Sequence, residues 1–191
     1  LDHQADQVDT LRQINTKSYF GDATRPDLLH TAGIEHAAML VVAIDNQESS
    51  VELVKYVKHT YPQVKVLARA YDRGHSYMLR CAGADFIESE TTRSALEMGA
   101  EAMRGLGQHP FHVEQQKIAY KKVENQSSDK LYQAWLDDSE GERFDNNYRK
   151  LFIELESTIK HAMSKDRSDK HNQSERAWTP PPKGYADDLD E

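Results

Sequence analysis

Apolar positions along the first half of this chain alternate between two rhythms. Val8, Leu11 and Ile14 stand at helical spacing and predict a helix over residues 4–14. Residues 17–20 read as a short strand ending at Gly21. Thr24 as a cap and Pro26 in the first turn open the next helix, because the N–H that proline lacks has no partner there anyway. That helix stops at Gly33. Residues 39–44, Met-Leu-Val-Val-Ala-Ile, are a nearly continuous apolar run, the pattern of a parallel strand covered on both faces. A helix follows with Val51, Val54 and Val57 on one face, ending at Pro62. Residues 64–70 predict a strand, 74–84 a short helix closing at Gly83, 85–89 a strand, and 91–107 a helix stopped near Gly105 and Gly107.

Strands alternating with helices imply a parallel sheet with right-handed crossovers, and ligands bind beyond the carboxyl ends of such strands. The fold class is therefore α/β, a Rossmann-like parallel sheet over residues 1–107. After Gly107 only the helical rhythm persists. Residues 109–126 predict a turn and a helix, and 129–136 and 146–163 two further helices, joined by the polar Asp-Asp-Ser-Glu-Gly-Glu-Arg-Phe-Asp of 137–145. Leu151, Leu155 and Ile159 form an apolar stripe with Phe152 beside it. Residues 108–164 thus form a helical extension, and 165–191 a charged, then Pro-rich and acidic tail expected to be extended or disordered, with Trp178 as a candidate for docking it onto the body.

Composition narrows the function. A net charge of -8 gives no bulk attraction to nucleic acid or anionic lipid. The single cysteine, Cys81, forbids an intrachain disulfide and fits a reducing compartment. No apolar run approaches the roughly 20 residues that span a bilayer. A soluble chain of this kind is still compatible with being the cytosolic part of a membrane protein.

Candidate chemistry gathers at predicted strand ends. Gly21-Asp22-Ala23-Thr24 lies at one: Asp22 suits an exocyclic amine such as that of adenine, and Ala23 is small enough for a flat ring to approach. From the residues alone, Asp22 and Thr24 read first as a cap for the helix at Pro26. Asp2 stands at another such end, where dinucleotide folds place an acid for ribose hydroxyls. Ala43, Ile44 and Asp45 end the apolar strand and border the same crevice, with Asp45 or Asn46 equally suited to cap the next helix. Arg69 inside an apolar strand needs a partner, either a ligand phosphate or, preferably, a neighbouring carboxylate. A fold of this type begins with a strand, a Gly-rich turn and a helix before Leu1, and no G-x-G-x-x-G occurs here. Because Leu-Asp-His is an improbable natural start, the sequence is expected to begin after that unit.

Other motifs carry little. His109 and His112 flank Pro110 in a turn and lack a metal-completing cluster. Cys81 reads as a packed core thiol. Lys117, Lys121 and Lys122 form a basic strip, by default a solvated face. No catalytic constellation and no metal site emerge.

The stretch from Gly21 to Asp85, with Gly-Asp-Ala-Thr, Leu-Leu, Ala-Gly, Ala-Ile-Asp and Ala-Arg-Ala in order, resembles the nucleotide-binding regulatory (KTN or RCK) domain of Kef-type glutathione-gated potassium efflux systems. The similarity runs from Leu1 to about Phe111 and continues more loosely beyond. It implies a crevice for AMP or NAD(H) bordered by Asp2, His3, Asp22, Ala23, Thr24, Ala43, Ile44, Asp45 and Arg69. It further implies a homodimer through the C-terminal helices, a membrane antiporter domain of the same chain, and glutathione or its conjugates at the dimer interface. The location implied is the cytoplasmic face of the bacterial inner membrane. Where the family holds the tripeptide with an Arg and an Asn, this chain has Ser89 and Glu124, with Arg93, Lys121 and Asn125 as neighbouring substitutes.

The principal reading is a non-enzymatic domain that gates potassium efflux by population shift between dimer arrangements. The alternatives are an NAD(P)-dependent oxidoreductase fragment, for which no Tyr-Lys or His-Asp pair is evident, and a free-standing potassium-uptake regulator.

Overall fold

A computed structural model describes residues 1–137 and 146–165. These form helices α1 (Ala5–Gln13), α2 (Pro26–Thr31), α3 (Gln47–Thr60), α4 (Arg73–Cys81), α5 (Glu90–Gly105), α6 (Pro110–Asp137) and α7 (Asn146–Lys165). The strands are β1 (Met39–Val42), β2 (Lys65–Ala70) and β3 (Phe86–Ser89). The described residues pack as two compact units, Leu1–Arg93 and a second that begins at Ser94, within α5. Among the described residues no helix is long and apolar enough to cross a membrane.

In the first unit the strands lie side by side in the order β1-β2-β3, all parallel. Val42 pairs with Ala68, and Ala70 with Ser89, so the carboxyl ends of the three strands come out together. One face is packed by α3 and α4: Val51, Val54 and Val57 of α3 and Leu79 of α4 are buried with Val42, Val66, Ala68 and Ala70. This is the core that the i, i+3 spacing of the valines predicted.

The structure corrects several expectations. The apolar run at β1 is not covered on both faces: Val41 is 65% exposed while Val42 is 2%, and Phe86 of β3 is exposed as well. The strand therefore buries alternate residues, as a period of two requires. Residues 17–20 form only a bridge, Phe20 with Asp2, held by Asp2 N–H to the Tyr19 carbonyl (3.1 Å) and Gly21 N–H to the Asp2 carbonyl (2.9 Å). Ile14 is exposed beyond the end of α1. Cys81 is exposed too, because it lies off the face that buries His75, Leu79 and Ala82.

Local chemistry explains the ends of the helices. Asn46 Oδ1 accepts from Ser49 N–H (2.8 Å) and caps α3, while Asp72 Oδ1 accepts from His75 N–H (2.8 Å) and caps α4. Gly83 follows α4 with φ +95°, a left-handed conformation that glycine reaches without a Cβ clash.

In the second unit, α6 is one continuous helix of 28 residues, where two had been expected. Gln126-Ser127-Ser128-Asp129 contains no Gly or Pro to break it. It packs on α7: Leu131, Tyr132, Ala134 and Trp135 of α6 are buried, as are Tyr148, Leu155 and Ile159 of α7, confirming the apolar stripe. Lys117 is not part of an exposed basic strip. It is buried, with Nζ 2.8 Å from Glu97 and 3.1 Å from Glu114, whereas Lys121 and Lys122 are exposed. The expectations for residues 138–145, for the 165–191 tail beyond Lys165 and for Trp178 lie outside the described residues.

Candidate functional site

The predicted residues of the first unit fall into two groups at loop positions following the parallel segments. The first is the turn after Phe20. Asp22 Oδ1 accepts from Thr24 N–H (2.9 Å) and from Thr24 Oγ1–H (2.7 Å), closing an Asx turn. Those two bonds, Thr24 amide first, hold the Asp22 carboxyl below the usual range; slight burial opposes them, and His3 and Arg25 add attraction. Asp22 is thus an exposed, ionised, acceptor-only group, and Oδ2 takes no part in the turn. Thr24 does not cap α2. The cap position is Arg25, without a side-chain cap bond, and Arg25 instead pairs with Asp27 (2.6 Å). Asp2 follows the same logic one segment over: its Oδ1 accepts from Gln4 N–H (2.8 Å) ahead of α1. His3, largely exposed, stands 4.0 Å from that carboxylate.

The second group sits at the carboxyl ends of β1, β2 and β3. Arg69 Nη2 donates to Asp45 Oδ1 (2.5 Å) and to the Ala43 carbonyl (3.0 Å), and Nη1 lies 3.1 Å from Glu90 Oε2. The preference for carboxylate partners is met, and the guanidinium fork spans the loop after β1 and the first residue of α5. Ala43 and Asp45 are exposed and Ile44 is half-buried. Asn46, rather than Asp45, caps α3, which leaves Asp45 to the arginine.

Residues expected to contact a tripeptide are distributed between the units. Ser89 accepts from Thr92 N–H through Oγ (3.4 Å), capping the first turn of α5, and Arg93 pairs with Glu88 (3.5 Å). Lys121, Glu124 and Asn125 lie on α6 in the second unit, with Lys121 and Asn125 exposed and Glu124 half-buried.

Sequence reasoning missed Glu90, whose pairing with Arg69 follows only from the β2–β3 register. It also missed a buried pair: Ser50 Oγ and His75 Nε2 are 2.7 Å apart, on α3 and α4. The Asp-x-x-His spacing of Asp72 and His75 was the available signal for this turn.

The sequence matches the TrkA-N domain family over residues 1–90 and the potassium efflux system KefB C-terminal domain family over residues 94–177, with the junction at the boundary between the two compact units. A solved structure of the Shewanella denitrificans Kef CTD in AMP-bound form aligns at TM-score 0.59 and 36% identity, covering 63% of this chain and 76% of that one. The chain belongs to the Kef-type C-terminal regulatory domains. Its Kef relatives include the glutathione-regulated potassium-efflux system protein KefC of Klebsiella pneumoniae strain 342, 38% identical over 131 residues, or 69% of this chain. The same protein of Escherichia coli O139:H28 is 36% identical over the same length. The chain spans 21% of the length of these KefC proteins. The Rossmann-like α/β reading and the Kef-type RCK resemblance therefore hold.

Proposed function

We propose that this Kef-type domain binds a nucleotide, AMP in the first instance and NAD(H) as the competitor, beyond the carboxyl ends of its parallel strands. The observation that carries the proposal is the 36% identity to a Kef domain described as AMP-bound, together with a crevice rim supplying suitable groups. Asp22, fixed by Thr24 and ionised, suits an exocyclic amine; Ala23 leaves room for the ring. Asp2 and His3 suit ribose hydroxyls. Arg69, anchored between Asp45 and Glu90, offers positive charge beside the exposed Ala43–Asp45 backbone.

The domain then gates potassium/proton antiport by a membrane part of the same protein at the cytoplasmic face of the inner membrane. It acts as a homodimer through its C-terminal helices. Glutathione and bulkier conjugates bias that dimer differently, through Ser89, Arg93, Lys121, Glu124 and Asn125. A ligand shifts such an equilibrium only by its difference in affinity for the two arrangements. Calorimetric titration of the purified protein with AMP, NADH and glutathione tests this: saturable AMP or NADH binding, lost in Asp22→Ala, is the expected result. Heat-silent titrations with no thermal stabilisation would refute it.

A further inference from the structure

Between α3, α4 and the turn after β2 lies a polar cluster that the nucleotide reading does not use. His75 is 2% exposed and Ser50 1%. His75 Nδ1 accepts from the Tyr71 backbone N–H (3.0 Å), so Nδ1 carries no proton and the ring proton sits on Nε2. Nε2–H then donates to Ser50 Oγ (2.7 Å), whose own hydroxyl donates to the Gln47 carbonyl (2.8 Å). Each proton in this chain has one place to go, and the Tyr71 bond in particular requires an unprotonated Nδ1.

We infer that His75 is a proton-sensitive latch on the turn between β2 and α4. Tyr71 follows Ala70 at the end of β2, two residues after Arg69, and its carbonyl accepts from Thr91 Oγ1 at the start of α5 (2.6 Å). Asp72, next in line, caps α4 through the His75 amide. The latch thus ties the strand end that presents Arg69 to α3, α4 and α5 together. A second proton on the ring removes the Nδ1 acceptor of Tyr71 N–H and turns Nδ1–H toward that donor, a repulsive contact in a buried site. Acid therefore releases the Tyr71 turn.

The groups facing the ring are Ser50 and the Gln47 carbonyl from α3, and the Tyr71 amide and Asp72 carboxylate from the turn. Of these Asp72 is charged, and it favours the cation, as does the Gln47 carbonyl. Burial outweighs both and holds the His75 pKa below its ordinary value. The latch is closed at neutral pH and opens as pH falls below the ordinary histidine range. Regulation of nucleotide affinity by this route rests on the nucleotide reading above; the latch itself does not.

The test is amide hydrogen exchange at Tyr71 in the purified protein without nucleotide, expressed as a protection factor between pH 7.5 and 5.0. Protection should fall by up to about tenfold per pH unit as the ring titrates, and His75→Asn, whose amide oxygen can still accept from Tyr71, should flatten that dependence. Ring 15N shifts of the unaltered protein supply a check that no variant's folding can spoil: they should show the Nε2–H neutral tautomer at pH 7.5. Tyr71 protection that ignores pH, or a ring already charged at pH 7.5, would overturn the latch. AMP titrations at the two ends of the range separate the readings. No AMP binding at either pH removes the nucleotide site while Tyr71 exchange still decides the latch; AMP affinity that is constant while Tyr71 opens removes the regulatory link.

Discussion

Arg69 and Asp45 meet at 2.5 Å, Nη2 to Oδ1, across the carboxyl ends of two parallel strands, and the same nitrogen holds the Ala43 carbonyl at 3.0 Å. One side chain therefore fixes the loop after β1 from the strand beside it. Its other terminal nitrogen reaches Glu90 at the start of α5. Replacing Arg69 by Ala should weaken AMP binding by about tenfold or more, the scale of a lost charge-assisted hydrogen bond. Arg69→Lys should recover little, since an ammonium cannot span the same fork. Calorimetry with AMP reads both.

Asp22 and Asn46 are both short side chains that accept backbone N–H groups at turns, yet they predict opposite outcomes. Asn46→Ala removes the cap of α3 and should lower stability by about 1 kcal/mol with AMP affinity unchanged. Asp22→Ala should reduce AMP affinity and abolish the thermal stabilisation that AMP gives. Denaturant melts with and without AMP separate the two effects.

Leu79 is fully buried between α4 and the sheet. Leu79→Ala should cost about 3 kcal/mol, the transfer of its side chain plus the cavity left behind. The same substitution at exposed Ile153 of α7 should change stability little in the isolated fold. Urea unfolding of the two variants makes the comparison.

Asp85 couples two core elements. Its carboxylate accepts from Val66 N–H (2.7 Å) and pairs with Lys58 (3.0 Å), and these, the Val66 bond first, hold its pKa below the ordinary 3.8. A depressed acid stabilises the fold above its unfolded pKa and loses that contribution as pH falls through 3.8 toward the folded value. Asp85→Asn should therefore destabilise the protein at pH 7 and flatten the acid limb of its stability curve. Thermal melts from pH 7 down to 3 check the sign.

The sequence carried the parts of this structure that depend on local rhythm. Val51, Val54 and Val57 announced the buried face of α3, and Leu155 and Ile159 that of α7. The cap at Asn46 was legible as one of two choices; the structure decides it, because Arg69 claims Asp45. What escaped was set by tertiary geometry. Val41 and Val42 are identical in chemistry but lie on opposite faces of the sheet. Lys117 looked like its exposed neighbours until Glu97, twenty residues earlier, proved to be its partner. Glu90 reached Arg69 through strand register, and Ser50 reached His75 across 25 residues of chain. No spacing rule connects those pairs. The helix cap expected at Gly21–Thr24 is instead an Asx turn, with Asp22 holding Thr24.

The central claim is that the turn at Gly21-Asp22-Ala23 and the strand ends around Arg69 hold a nucleotide. The most direct measurement is to denature the purified protein and identify by mass spectrometry what small molecule comes off. AMP or NAD(H) in stoichiometric amount is the predicted result. A protein that releases nothing, and whose melting temperature is the same with and without added AMP and NADH, would contradict the claim and return Asp22 to the single task of closing its own turn.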